Sequence, residues 1–289
     1  MNPCKAPDPN TRKPGFELPP GACDAHCHIF GPAHRFPYAE GRTDTQPDAP
    51  VENFRKLQHA LGFERAVIVQ AGCHGTDNAA MLDAISTSDG RYRGIAVIND
   101  GFTDAEVEAL HDGGVRGVRF SFARQLGRNP DFDAVKRTAA RIAPLGWHLV
   151  FFLEPEIIVE FADILPTFAL PVVIDHMGRA RTGGGLDQEA FRLLLGFIRG
   201  EDFWVKISGA ERNSTAGPPY TDAIPFAQAL IDAAPDRILW GTDWPHPNTA
   251  GPMPNDGDLV DLFARYAPDA AMRKRILVDN PARLFGFDD

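Results

Sequence analysis

Cysteine is scarce: the 289 residues contain four, Cys4, Cys23, Cys27 and Cys73, all in about the first quarter of the chain. That number and placement exclude a disulfide framework of the kind that staples small secreted domains, so the four are read as reduced thiols. No apolar run approaches the roughly 20 residues a membrane helix needs. The opening stretch up to Gly21 has prolines and charges but lacks the apolar segment of a secretion signal. No membrane partner is therefore expected, and the chain reads as a soluble, cytoplasmic protein. Asn213-Ser214-Thr215 matches a glycosylation acceptor, but without a secretion signal it is read as a chance match. Basic residues are also in deficit, 29 against 39 acidic, for a formal charge of −10. With no basic stripe to neutralise phosphates, nucleic acid is excluded as a partner.

What is present is ordinary globular composition, 44% hydrophobic and 24% charged. Short runs rich in Val, Ile, Phe and Trp alternate with segments of helical periodicity, the pattern of repeated βα units around a parallel sheet. Eight runs are expected to be strands: Ala22 to Ile29, Glu64 to Gln70, Tyr92 to Ile98, Val115 to Phe120, Trp147 to Glu154, Pro171 to His176, Phe203 to Gly209 and Arg237 to Asp243. Between them Val51 to Gly62, Asp77 to Ser88, Asp131 to Ala143, Asp187 to Arg199 and Thr221 to Ala234 read as amphipathic helices. Continuously apolar strands such as Ala66-Val67-Ile68-Val69 suit a sheet buried on both faces, whether open or closed. Eight units without a compositional break favour closure into a (β/α)8 TIM barrel. Residues 21–289 are read as one barrel domain, and 1–20 as an extended N-terminal arm.

In such a barrel the reactive groups come from the C-terminal ends of the strands. The first strand ends in Asp24-Ala25-His26-Cys27-His28, and side-chain alternation points His26 and His28 to the same side. The sixth ends in Ile174-Asp175-His176 and the eighth in Gly241-Thr242-Asp243-Trp244-Pro245. Three imidazoles and a carboxylate thus converge from three strand ends. Buried polar groups without a function would be costly unless each were fully paired. Arg119 ends the fourth strand, Arg124 follows it, and Arg212 lies after the seventh. Guanidinium forks match carboxylates, so this cluster implies an anionic substrate. His74, in the loop after the second strand, is a further polar candidate, whereas its neighbour Cys73 is read as packing rather than as a nucleophile.

These motifs resemble the amidohydrolase superfamily, with its opening His-x-His pair, later histidine and final-strand aspartate. The segments CDAHCHIFGP, VIVQAGCHGTDN, GVRGVRF, VIDHMGR and WGTDWPHPN are similar to the branch of lactonases that acts on 2-pyrone-4,6-dicarboxylate in aromatic-acid breakdown. The similarity runs from about residue 22 to Asn280-Pro281-Ala282-Arg283-Leu284. It implies that Arg119, Arg124 and Arg212 grip the substrate's carboxylates. It also implies hydrolysis without a required metal: Asp243 is the general base for water, and His26, His28 and His176 polarise the lactone carbonyl. The superfamily's default is a divalent ion such as zinc, which here would be held by His26, His28, His176 and Asp243. Only Glu154 offers an extra ligand, so a complete two-metal site is not expected.

The sequence departs from the lactonase pattern in three places. Phe152 on the fifth strand stands in place of a tyrosine, Asp44 in place of a second, and Gly72 in place of a serine. Three lost hydroxyls point to a related but different lactone. Hydrolysis of 4-sulfomuconolactone is the close alternative, a sulfonate replacing a carboxylate. Zinc-dependent decarboxylation of an aromatic or muconate acid is the distant one.

Overall fold

The computed structural model describes residues 2–42, 44–124 and 129–287. Eight parallel strands follow one another around the sheet in chain order: β1 (Cys23–Cys27), β2 (Arg65–Val69), β3 (Tyr92–Ala96), β4 (Val115–Phe122), β5 (His148–Leu153), β6 (Val172–Ile174), β7 (Phe203–Lys206) and β8 (Ile238–Leu239). The ring is completed between last and first. The Ala25 N–H donates to the Trp240 carbonyl at 2.9 Å, and the Asp243 N–H donates to the His26 carbonyl at 2.8 Å. Gly241 permits this approach, because a Cβ there would stand 2.3 Å from the His26 nitrogen. The architecture is the expected (β/α)8 barrel.

The continuous apolar character of the strands has a direct explanation. In β2, Val67 and Val69 point into the barrel with Ile95, Val150, Val173 and Leu239, while Ala66 and Ile68 join the larger cluster beneath the helices. Each fully buried Val or Ile contributes roughly 1.5–3 kcal/mol, so both faces of the sheet stabilise the fold. Phe285 and Phe287 plug the interior at the N-terminal ends of the strands, where Arg65 and Arg93 lie 5.4 and 4.7 Å from the Phe287 ring. With that end sealed, the opposite end carries the cavity.

The outer layer comprises α1 (Val51–Leu61), α2 (Ala79–Ser86), α3 (Asp104–Asp112), α4 (Phe132–Ile142), α5 (Pro155–Glu160), α6 (Glu189–Ile198), α7 (Ile224–Ala233) and α8 (Asp256–Tyr266), with shorter helical turns between. The five expected helices are all present. In α4, Asp131 accepts from the Ala134 N–H at 2.9 Å, and Phe132, Val135, Thr138 and Ile142 are the buried stripe. Helix α3, which the expected set did not include, starts with a capping box between Thr103 and Glu106. No described helix is long and apolar enough to cross a membrane.

Strands β6 and β8 are shorter than the runs that predict them. The chain leaves the ladder at their C-terminal ends, where His176 and Asp243 take left-handed φ angles of 52° and 63°. Along the N-terminal segment, Asn2–Pro3 pairs in parallel with Asp44–Thr45. Further on, the Arg12 Nε donates to Asp258 Oδ1 at 2.6 Å and the Gly15 N–H to Asp261 Oδ1 at 2.7 Å, fixing this segment to α8.

Candidate active site

The phase of β1 changes as it approaches the cavity. Its register against β2 shifts between Asp24 and Cys27, and Cys27 packs in the outer cluster whereas Cys23 and Ala25 belong to the interior. His26 and His28 therefore face inward together. His26 Nε2 lies 3.3 Å from His28 Nε2, and Asp243 Oδ1 lies 3.2 Å from His28 Nε2, 3.5 Å from His26 Nε2 and 3.8 Å from His176 Nε2. The predicted convergence from three strand ends is what the structure shows.

The left-handed backbone at His176 and Asp243 costs on the order of 1–3 kcal/mol each and is held by its neighbours. The Asn213 Nδ2 donates to the His176 carbonyl at 2.9 Å, and Asp243 is tied through its N–H to His26. Gly209, with φ 73°, makes room for the histidine: a Cβ there would sit 2.9 Å from the His176 ring.

Beneath the histidines lies a buried ionic floor. Lys206 Nζ is 3.0 Å from His26 Nδ1 and 3.2 Å from Asp175 Oδ1, and Asp175 Oδ1 is 3.3 Å from His26 Nδ1. Arg119 Nε donates to the other oxygen of Asp175 at 2.9 Å. On the far side of Asp243, Arg212 Nε donates to Oδ2 at 2.6 Å, and its Nη2 donates to the Pro247 carbonyl at 2.9 Å. Glu211 stands behind, 3.3 Å from Arg212 Nε.

These contacts set the charge states. Burial drives His26 well below the ordinary histidine value, helped by the Lys206 ammonium. Burial likewise lowers His176 to about 3. Burial alone would raise Asp243, but the Arg212 guanidinium and then His176 outweigh it and hold the carboxyl well below the usual range. In Asp175 burial is outweighed in the same sense by Lys206, His26 and Arg119. The site is thus built of ionised carboxylates and neutral imidazoles at His26 and His176.

A cavity of about 380 Å³ opens above this floor, lined by His28, His176 and Asp243 but not by His26, which lies beneath. Among the described residues, three guanidiniums reach it: Arg119, Arg212 and Arg179. Phe152 forms one wall between two of them, its ring centre 5.1 Å from the Arg119 guanidinium carbon and 4.9 Å from that of Arg179. Asp44 and Gly72 also line the cavity, so all three positions of departure from the lactonase pattern border it. Cys73 is there as well, but burial pushes its thiol up to about 12, in keeping with packing rather than nucleophilic chemistry.

Three other candidates lie elsewhere. Arg124 is 43% exposed in its side chain and pairs with Glu160 at 2.7 Å outside the cavity lining. His74 is occupied by backbone, accepting from the Gly31 N–H at 3.1 Å and donating from Nδ1 to the Pro37 carbonyl at 3.1 Å. Glu154 accepts from the Arg124 N–H at 3.3 Å and faces Arg179 at 3.8 Å, away from the histidines. Conversely, the sequence reading missed Lys206, Asp175 and Arg179. A lysine inside the apolar run Phe203-Trp204-Val205-Lys206-Ile207 was the available signal, since a buried ammonium needs a buried partner. Arg179 ends the VIDHMGR segment.

His26, His28 and Asp243 are mutually placed like ligands of a divalent ion, their 3.2–3.5 Å edges matching bonds of roughly 2.0–2.1 Å. The partner of His26 opposes that use. An ammonium at Nδ1 only donates, which leaves the ring proton on Nε2, where a metal would need a lone pair.

A family model described as amidohydrolase matches residues 23–287. A 2-pyrone-4,6-dicarboxylate hydrolase of Comamonas testosteroni is 46% identical over 96% of this chain and 93% of its own. A 4-sulfomuconolactone hydrolase of Rhizobium radiobacter is 43% identical over 98% and 96%. Among solved structures, one described as a probable 2-pyrone-4,6-dicarboxylic acid hydrolase from Acinetobacter baumannii with citric acid bound superposes with a TM-score of 0.81 at 27% identity, covering 92% of this chain and 100% of that one.

Proposed function

Because the chain belongs to the amidohydrolase family, we propose that it hydrolyses a small anionic lactone of the 2-pyrone-4,6-dicarboxylate kind, with Asp243 as the base that activates water. We assign it to aromatic-compound breakdown in the cytoplasm, with residues 21–289 as one catalytic unit. The observation that carries the reading is Asp243 at the cavity, one oxygen 3.2–3.8 Å from three imidazole nitrogens and the other held by Arg212, with Arg119 and Arg179 lining the same cavity.

The lactone's carboxylates are bound by Arg119, Arg179 and Arg212, which have the planar forks for them. Arg124 joins this set only where it leaves Glu160 for the substrate. Water then adds to the ring carbonyl carbon, its oxygen forming the new bond as its proton passes to Asp243. His176 supports the developing oxyanion: Ser208 Oγ lies 3.0 Å from Nδ1, and a hydroxyl donating there leaves Nε2–H toward the cavity. Collapse breaks the ring C–O bond and the enol oxygen departs, taking the proton back. His26 and His28 flank Asp243 and orient it. Arg212 weakens Asp243 as a base while it holds Oδ2; a substrate carboxylate that shares the guanidinium raises that basicity at the moment of binding.

A second reading, 4-sulfomuconolactone hydrolysis, is favoured by Phe152, which offers a guanidinium-stacked apolar wall where a carboxylate-binding hydroxyl would stand. Purified protein assayed with each lactone, ring opening followed by loss of absorbance, tests both. Turnover of neither lactone overturns the proposal.

A further inference from the structure

The hydrogen-bond partners around β1 and β7 fix the direction of a whole chain of bonds. Lys206 Nζ, His26 and His28 stand in line: Nζ is 3.0 Å from His26 Nδ1, His26 Nε2 is 3.3 Å from His28 Nε2, and His28 Nδ1 is 2.8 Å from the Val69 carbonyl oxygen. At each end the hydrogen-bonded partner sets the polarity: Lys206 at His26 Nδ1, where Asp175 Oδ1 at 3.3 Å makes no hydrogen bond, and the Val69 carbonyl at His28 Nδ1. The ammonium, held between imidazole and the Asp175 carboxylate at 3.2 Å, only donates; the carbonyl only accepts. His28 therefore carries a proton on Nδ1 and His26 on Nε2, where it faces both His28 Nε2 at 3.3 Å and Asp243 Oδ1 at 3.5 Å, while His28 Nε2 itself lies 3.2 Å from Asp243 Oδ1.

We propose that Lys206 is a positioning residue for catalysis, setting the His26 tautomer so that a ring N–H, not a lone pair, meets Asp243 Oδ1 and the carboxylate is kept as the base beside the cavity. His26 Nε2–H points between His28 Nε2 and Asp243 Oδ1, 3.3 and 3.5 Å away. The attacking water then finds one base. The same polarity puts a proton on His26 Nε2, one of the two nitrogens that, with Asp243, would bind a divalent ion. Lys206 is fully buried and touches neither cavity nor substrate, so it acts through His26. Asp175 is the alternative partner of His26 Nδ1, 3.3 Å away. Removing the ammonium hands that position to a carboxylate, which accepts, and the polarity of the chain reverses at His26.

The inference rests on the proposed lactone hydrolysis only for its kinetic consequence; the tautomers are measured without substrate. Nitrogen-15 NMR of histidine-labelled wild-type protein should show His26 with a bare Nδ1 and a protonated Nε2, and His28 with the reverse. A protonated His26 Nδ1 in the wild type overturns the proposal even where lactone turnover is confirmed. In Lys206→Met, His26 should move its proton to Nδ1. Zinc, titrated alone against a chromophoric chelator, should bind at least about 10-fold tighter than to wild type. kcat should fall by a factor on the order of 100 with KM changed far less. A folded Lys206→Met protein with an unchanged His26 tautomer and unchanged zinc affinity overturns it as well. Should that variant not fold, the wild-type spectrum decides the matter.

Discussion

Two nitrogens of Arg212 address a single oxygen of Asp243, Nε at 2.6 Å and Nη2 at 2.5 Å from Oδ2. Oδ1 is thereby left to the imidazoles. Asp243→Asn keeps the shape of this arrangement and removes the proton acceptor. Steady-state kinetics should show kcat reduced by a factor on the order of 100 or more, with KM within a few-fold of wild type. Normal turnover in this variant would remove Asp243 from the mechanism.

Arg179 reaches the cavity with a weaker carboxylate partner than its companions, Glu154 at 3.8 Å against 2.9 Å for Arg119 and 2.6 Å for Arg212. Its fork is accordingly the most available to a bound anion. Arg179→Met should raise KM by about 10-fold or more, as loss of a charge-assisted hydrogen bond worth roughly 1.5–3 kcal/mol implies. Arg124→Met, whose guanidinium pairs with Glu160, should change KM less. Equal effects in the two variants would place Arg124 against the substrate.

Phe152 separates two guanidiniums without offering a hydrogen bond. Phe152→Tyr adds a hydroxyl to the same ring at the cavity wall. It should raise kcat/KM for 2-pyrone-4,6-dicarboxylate by about 10-fold relative to 4-sulfomuconolactone, measured with both substrates on both proteins. An unchanged ratio would show that this hydroxyl does not discriminate.

Burial, with the Lys206 ammonium acting in the same sense, lowers His148 to about 3. A histidine whose folded value lies below its unfolded value contributes stability that is intact above pH ~6.5. That stability is lost as the pH falls toward 3, because the unfolded chain takes the proton first. Asp24, pushed up to about 7 by burial, acts in the opposite sense over much of this range. The clean test is therefore a difference. Urea denaturation of wild type and His148→Leu between pH 6.5 and 4 should show wild type losing about 1.4 kcal/mol more per pH unit. Parallel pH dependences would contradict a neutral His148.

The polarity imposed by Lys206 bears on metal dependence directly. Protein dialysed against a strong chelator should retain its lactone turnover, with elemental analysis run on the same sample. A stoichiometric metal whose removal abolishes turnover and whose return restores it would exclude the mechanism given above.

Much of this was readable from the chain. Period-two alternation put His26 and His28 on one side, and the strand count placed His176 and Asp243 beside them, because in a closed parallel barrel all strand ends meet at one face. The apolar runs had to be strands buried on both sides. What alternation could not say was where side chains go once the chain leaves the ladder. Arg124 and Arg179 both follow strand ends in sequence, yet one turns to Glu160 and the other to Phe152. His74 looked like a polar group at the mouth and is consumed by two backbone partners. Lys206 lay inside an apolar run, and its meaning came only from Asp175 and His26, which are 31 and 180 positions away in the chain and about 3 Å away in space. Local pattern determines which residues can face the barrel axis; only the closed barrel decides which of them touch, and hydrogen-bond polarity is a property of those contacts.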